Sequence, residues 1–416
     1  MGNKGCCDTS TNRMNRNHNS NLPDSSNSKR NTIQTNTHRD TFPPNTYKQP
    51  DLLYQQKTPN YNEGSMDEKL DLRQNQGRSI DDDVKNSFSG KNLSPTSSKK
   101  NEPLQKSRFK PFKMSRSFKA HDKIIVCMIE LEDKKIATGS YDNTIKIWDL
   151  NNYSEQPEKI LREQGKVFSL LEFEPNVILT AIDKTPDNIQ DISQINPDDI
   201  LINKWELNNL SDESNDTFDT RHQLRINCLV KCGDKHFASC SNDGNIIIWD
   251  YYLKRDVKEL KGHGDCVLCL IQLNNGKLCS GSADNTIKIW NWEAGECEYS
   301  IEDNSSWVKC LCELSNGYIV AGTHDNLITI WNERGQRVNQ LEGHGRSVRS
   351  ICEIDKSNYI ASASFDHTIR IWDIFTKECL QTLNEHTSSV INVIYHSDGY
   401  LISCSNDKTI KVWKNV

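Results

Sequence analysis

The chain has 416 residues, a formal net charge of -6 and an apolar fraction of 35%, which its 20 glycines lift only to about 40%, short of the roughly 45–50% usual for globular chains. Length alone predicts two or three domains, and the apolar shortage predicts that part of the chain does not fold. No run of about 18 apolar residues is present, which excludes a membrane-spanning helix, and the polar N-terminus lacks the apolar stretch of a secretory signal, so a cytoplasmic protein is expected.

The shortage is local. No Trp precedes Trp148, and only Cys6 and Cys7 of the 15 cysteines precede Cys127. Through Arg116 the chain carries 20 basic and 12 acidic side chains, whereas 31 and 45 follow, so a basic segment precedes an acidic domain. Residues 1–108 are rich in Asn, Ser, Thr, Gln and Lys without helical or strand periodicity, and are expected to form a disordered polar tail, because they cannot bury enough surface to offset their ordering entropy. The start, MGNKGCC, places Gly2 before Cys6 and Cys7, a pattern that resembles an N-myristoylation signal with palmitoylation sites, although Cys6 stands where the pattern has Ser or Thr. One myristoyl chain binds a membrane marginally and a second acyl chain supplies the missing affinity. Such a lipidated tail would act as a leash on the order of 55 Å long to the cytosolic face of a membrane.

The segment 106–119 interleaves Lys and Arg with Phe109, Phe112 and Phe118. Two readings compete: a polybasic patch on anionic lipid, and, from Phe112 onward, a strand belonging to the folded domain. The second is preferred, for a reason that the repeats supply. Nucleic acid is disfavoured by the acidic bulk of the chain.

A fixed period organises the remainder of the chain. Trp249, Trp290, Trp331, Trp372 and Trp413 are 41 residues apart, Trp205 lies 44 before the first, and Trp148 a further 57 before that, which makes seven units. The clearest copies read ATGSYDNTIKIWD, CSGSADNTIKIWN, SASFDHTIRIWD and SCSNDKTIKVWK. Each predicts a small-residue strand, a tight turn at Asp and an alternating strand, with Asp243-Gly244 the strongest turn signal. Gly262-His263 and Gly343-His344 introduce a further apolar strand in their units.

Three or four short strands per unit, with Gly-His near one end and Trp-Asp near the other, resemble the WD40 (WD-repeat) family from about Phe112 to Val416. The resemblance implies an all-β fold, a seven-bladed β-propeller, over 109–416, so that one ring and a tail replace the two or three domains that length suggested. The last unit ends at Trp413, which leaves its outermost strand missing, and the family fills that place with an N-terminal segment. Residues of about 112–119 are expected to close the ring and so remove a free edge.

Five units carry His, Ser or Thr, Asp and Trp at fixed spacing: His121, Asp142 and Trp148 with Thr138; His222, Asp243 and Trp249 with Ser239; His263, Asp284 and Trp290 with Ser280; His344, Asp366 and Trp372 with Ser362; His386, Asp407 and Trp413 with Ser403. Any one set has the residues of a Ser-His-Asp triad, but repetition favours the hydrogen-bonded network that the resemblance implies. Two units depart from it. The second has Glu163 in the His position and about fifteen extra residues, and the fifth has Asn304 and Ala321 beside Asp325 and Trp331, so both blades are expected to lack the full network. Cys266 and Cys269 form a C-x-x-C without a second pair at zinc spacing. Cys127, Cys228, Cys269 and Cys310 align at one strand position and read as small buried residues. All are expected to be thiols, and no metal or cofactor is expected.

In the resembled family, partner peptides bind the top face through three positions per repeat, in the second unit Lys166, Phe168 and Asp198. Among these positions, Tyr141, Phe168, Arg225, Trp307, Lys309, Arg349 and Phe365 form the candidate peptide site, since aromatic and Arg side chains dominate binding hot spots. Trp307 and Trp292 are the two Trp outside the unit-end position. The expected function is a non-catalytic protein-interaction scaffold for linear peptides, with membrane lipid as a further partner of the tail. The acidic balance of the domain favours basic partners. The alternative is a substrate adaptor of a ubiquitin ligase, for which the only hint is the altered box Trp331-Asn332-Glu333-Arg334. The oligomeric state is not legible.

Overall fold

A computed structural model describes residues 109–152, 154–186, 192–209, 214, 216–302 and 304–416. The expected disordered tail with Gly2, Cys6 and Cys7 lies outside the described residues, as does part of the extra segment of the second unit.

The described residues form seven four-stranded antiparallel sheets. The first strand, β1 (Phe112–Lys119), precedes blade 1, which is β2 (Ile125–Glu130), β3 (Ile136–Ser140), β4 (Thr144–Trp148) and β5 (Lys159–Arg162). Blade 2 is β6 (Lys166–Glu174), β7 (Val177–Asp183), β8 (Ile200–Glu206) and β9 (Asp216–Phe218), and blade 3 is β10 (Ile226–Cys232), β11 (His236–Ser241), β12 (Ile246–Asp250) and β13 (Arg255–Leu260). Blade 4 is β14 (Val267–Gln272), β15 (Leu278–Ser282), β16 (Ile287–Asn291) and β17 (Glu296–Ile301), and blade 5 is β18 (Val308–Glu313), β19 (Ile319–Thr323), β20 (Ile328–Trp331) and β21 (Arg337–Leu341). Blade 6 is β22 (Val348–Ile354), β23 (Tyr359–Ser364), β24 (Ile369–Asp373) and β25 (Cys379–Leu383). Blade 7 takes β26 (Val390–His396), β27 (Tyr400–Ser405) and β28 (Thr409–Asn415) from the end of the chain and β1 from the beginning. Among the described residues no helix is long and apolar enough to cross a membrane.

β1 runs antiparallel to β28, from Phe112 opposite Asn415 to Lys119 opposite Thr409, with a bulge between Met114 and Arg116. Without that extra residue Phe112 and Phe118, six apart, would face the same side, because strand side chains alternate. With it, Phe112 packs among Ala361 and Ile371 of blade 6 and Phe118 among Ile125 and Met128 of blade 1. Burying two such rings contributes roughly 3–6 kcal/mol. Gln381 adds a two-point clamp, accepting from Phe112 N (2.8 Å) and donating to Phe112 O (2.7 Å).

The core lies between blades. Each unit-end Trp packs on the preceding blade: Trp148 against Ile402 and Ile410 of blade 7, Trp249 against Leu179 and Ile202 of blade 2, Trp413 against Ala361 and Ile371 of blade 6. All seven are essentially buried. The turn residue after each Asp is left-handed at Asn143, Gly244, Asn285, Asn326, His367 and Lys408, a conformation that costs nothing only at Gly244.

Candidate functional site

Inside blade 4, Trp290 Nε1 donates to Ser280 Oγ (2.8 Å), Ser280 Oγ lies 2.7 Å from His263 Nε2, and His263 Nδ1 lies 2.8 Å from Asp284 Oδ2. The indole N–H donates at one end and the carboxylate accepts at the other, with the serine hydroxyl and the imidazole linking them. The same chain joins His121, Thr138, Asp142 and Trp148, His222, Ser239, Asp243 and Trp249, His344, Ser362, Asp366 and Trp372, and His386, Ser403, Asp407 and Trp413. Asp284 also accepts from Gly264 N and Thr286 N, which ties the β15–β16 turn to the loop before blade 4. Burial works to raise these carboxyls, but hydrogen bonds from histidine, threonine and backbone outweigh it and hold Asp142, Asp284, Asp366 and Asp407 well below the ordinary carboxylate range. Burial pushes His121 and His386 below the ordinary imidazole value. Every hydroxyl of the set is 0% exposed and held between an indole and an imidazole, so none is presented to a substrate as a nucleophile.

The two departing blades lack the His–Ser/Thr–Asp–Trp chain and satisfy their tryptophans by other means. In blade 2 the Glu163 carboxylate replaces both His and Asp: it accepts from Thr180 Oγ1 (2.6 Å), Asn203 Nδ2 (2.7 Å) and Trp205 Nε1 (2.5 Å). In blade 5 Trp331 Nε1 donates to Thr329 Oγ1 on its own strand (3.0 Å), since Ala321 offers no hydroxyl, and Asp325 accepts from Thr323 Oγ1 (2.5 Å) and from Ser305.

The innermost strand of every blade carries a bulge at one equivalent place, between Ile125 and Cys127, Val167 and Ser169, Ile226 and Cys228, Val267 and Cys269, Val308 and Cys310, Val348 and Ser350, and Val390 and Asn392. A bulge re-aims the side chain that it leaves unpaired. The residues so released are Val126, Phe168, Asn227, Leu268, Lys309, Arg349 and Ile391, one at the same place in each blade. The next position in each strand reaches toward the following blade: Cys228, Cys269 and Cys310 point Sγ at the carbonyls of Leu270, Val308 and Val348, and Asn392 Nδ2 donates to Met128 O across the ring closure. Burial raises the thiols of Cys127, Cys269, Cys310 and Cys404, and the charge of Arg349 pulls each back. Among the described residues no group of three or more His, Cys, Asp or Glu is placed to hold a metal.

Two aromatic-cation groups include the bulge residues Phe168 and Lys309. On blades 1 to 3, Tyr141 meets Phe168 edge-on at 5.2 Å, Arg225 lies 4.4 Å over the Phe168 ring, and Lys166 lies 5.4 Å over Tyr141. On blade 5, Trp307 stacks on His324 at 4.9 Å with Lys309 at 4.9 Å from its ring. Arg349 is on β22 of blade 6, and Phe365 lies in the β23–β24 turn of the same blade, where Phe365 N donates to Ser347 O at 3.0 Å. The side chains of Lys166 and His324 complete both groups, although neither is among the seven chosen from residue type. Trp292 lies elsewhere, tilted at 52° to the His236 ring with centroids 5.4 Å apart. The blade 2 position assigned to Asp198 belongs to Asp183, which pairs with Lys166, whereas Asp198 lies in a 3-10 turn at Pro197–Asp199 before β8. The extra residues shift the spacing, and the segment that holds them leaves from Asp183 and returns at Ile200, the end of the blade that bears the tight turns.

A family model for the WD domain, G-beta repeat, matches residues 112–149, 214–250, 254–291, 295–332, 335–373 and 377–414, and so passes over the blade whose network is built on Glu163. Mitochondrial division protein 1 of Schizosaccharomyces pombe is 28% identical over 177 residues, 35% of this chain but only 26% of that protein. The crystal structure of the WD40 β-propeller domain of Doa1 matches 74% of this chain and 98% of its own with a TM-score of 0.61 at 23% identity, a likeness of fold. With its repeats matched over more than half of its length, the chain belongs to the WD40 repeat family.

Proposed function

We propose that the protein is a non-catalytic scaffold that binds linear segments of partner proteins across the channel mouth. The observation that supports this reading is the bulge repeated in all seven innermost strands, which leaves one residue per blade unpaired at the same place, Phe168 and Lys309 among them, within the Tyr141–Phe168–Arg225 and Trp307–His324–Lys309 groups. Rigid aromatic and cationic side chains at the centre of a concave surface are the kind that dominate binding energy. Quantitative affinity capture tests it, with a Trp307→Ala, Arg349→Ala double variant set against Phe375→Ala, which lies at a β24–β25 turn on the opposite face. The first variant should lose partners that the second keeps; retention of every partner by both refutes the assignment.

Acylation at Gly2 with Cys6 or Cys7 would hold this cytoplasmic scaffold at a membrane, on the support of the MGNKGCC pattern. Fractionation of wild type and Gly2→Ala decides the point, since identical soluble distributions would eliminate the tether.

A further inference from the structure

The charge of the channel mouth is opposite to that of the domain around it. From position 117 onward the chain has 31 basic and 45 acidic residues, yet the three inward positions of each blade include Lys166, Arg225, Lys309 and Arg349 against one carboxylate, Asp183. The two cations of the bulge ring, Lys309 and Arg349, are on adjacent blades. Arg349 is half-buried, and among the described residues no carboxylate lies within ion-pair distance of it. Removing a guanidinium from water without a counter-charge is costly, and an arriving anion that supplies one gains accordingly. Two residues before Arg349, Ser347 is buried with its Oγ lacking a hydrogen-bond partner among the described residues.

Resting on the proposed role of this face, we infer that the mouth is a socket for an acidic side chain of a partner peptide, a carboxylate or a phosphoryl group, seated on Lys309 and Arg349 and flanked by Trp307. A peptide is favoured over a nucleic acid, because the surplus of acidic residues in the domain repels a polyanion that must lie along its surface, whereas one side chain enters the mouth alone. The same sign excludes the chain's own basic 106–119 segment as occupant.

The test selects dodecamers from a random phage-displayed library on the full chain and resynthesises the most enriched sequence with Glu, phosphoserine or Gln at its acidic position. Lys309→Gln and Arg349→Gln should each weaken the Glu peptide about tenfold or more, the fold-change of a lost charge-assisted hydrogen bond. The Gln peptide should bind weakly and ignore both variants, and Lys356→Gln, in a turn at the other face, should change nothing. Phosphoserine binding tighter than Glu identifies a phosphorylated partner, and the reverse a carboxylate one. Should Arg349→Gln lower the melting temperature, Lys309→Gln decides. Enriched peptides without acidic residues, a Glu peptide indifferent to both variants, or a uridine homopolymer that binds as tightly and with the same dependence on Lys309 overturns the inference. Neutral peptides that are still lost on Trp307→Ala leave the proposed function standing; peptides indifferent to Trp307→Ala remove both.

Discussion

Glu163 offers the most exacting test of how a departing blade is held. Its carboxylate is the acceptor for three buried donors, and Glu163→Ala leaves the Trp205 indole, the Asn203 amide and the Thr180 hydroxyl without it. A hydroxyl can rotate to another acceptor, but the indole and amide cannot, and each unmet buried donor costs about 1–3 kcal/mol. The expected loss is therefore about 2–6 kcal/mol, a large share of the roughly 5–15 kcal/mol that stabilises a typical fold, read from urea unfolding with the slope unchanged. A loss under about 1 kcal/mol would refute this role for Glu163 in blade 2. Glu163→Gln adds a signed test. Burial raises the Glu163 carboxyl above its ordinary value despite the three donors. As pH rises through the ordinary glutamate value toward this folded value, the unfolded chain ionises more readily than the folded one, and stability falls. Glu163→Gln lacks this slope, so wild type should lose stability relative to the variant as pH rises from about 4.3; a relative gain would contradict the assignment.

Asp366→Ala removes the acceptor of His344 Nδ1–H, Thr368 Oγ1 and Gly345 N, and should cost about 2–4 kcal/mol by chemical denaturation. The lowered carboxyls of Asp142, Asp284, Asp366 and Asp407 contribute stability above about pH 4 that is lost as pH falls. The lowered imidazoles of His121 and His386 act earlier, since protonation below about pH 6.5 favours the unfolded chain. The melting temperature should therefore decline in two stages between about pH 7 and about pH 3. Gly322→Ala would place a Cβ 2.6 Å from Cys310 Sγ and 2.7 Å from Val348 Cγ1, and should lower stability by about 1–3 kcal/mol; an unchanged melting temperature would mean that blades 5 and 6 are not packed this closely. Deleting residues 1–105 should leave a cooperatively melting domain, whereas deleting 1–120 strips Phe112, Phe118 and the Gln381 clamp; equal melting temperatures would show that β1 does not close the ring.

Seven Trp at near-constant spacing make the fold class legible, because a repeated Trp has to meet a repeated environment, here the face of the preceding blade. The choice of Tyr141, Phe168, Arg225, Trp307 and Lys309 rests on residue type at aligned positions, and their neighbours in space come from different blades that no local pattern joins. The bulges leave no mark in the sequence, since the residues they turn inward range from Val126 to Arg349. Blade 2 is hardest to read: one Glu does the work of a His and an Asp, and the extra segment displaces the turn position from Asp198 to Asp183. Net charge is likewise a coarse guide. It describes the whole acidic domain, whereas Lys309 and Arg349 place two cations at the bulges of adjacent blades.

Hydrogen–deuterium exchange of the full chain with and without a captured partner measures the central claim most directly. Binding at the channel mouth predicts new protection at 164–169, 223–228, 305–310 and 345–350, with the β12–β13 and β24–β25 turns of the opposite face unchanged. Protection confined to those turns or to the outer strands, with the mouth unchanged, would contradict it.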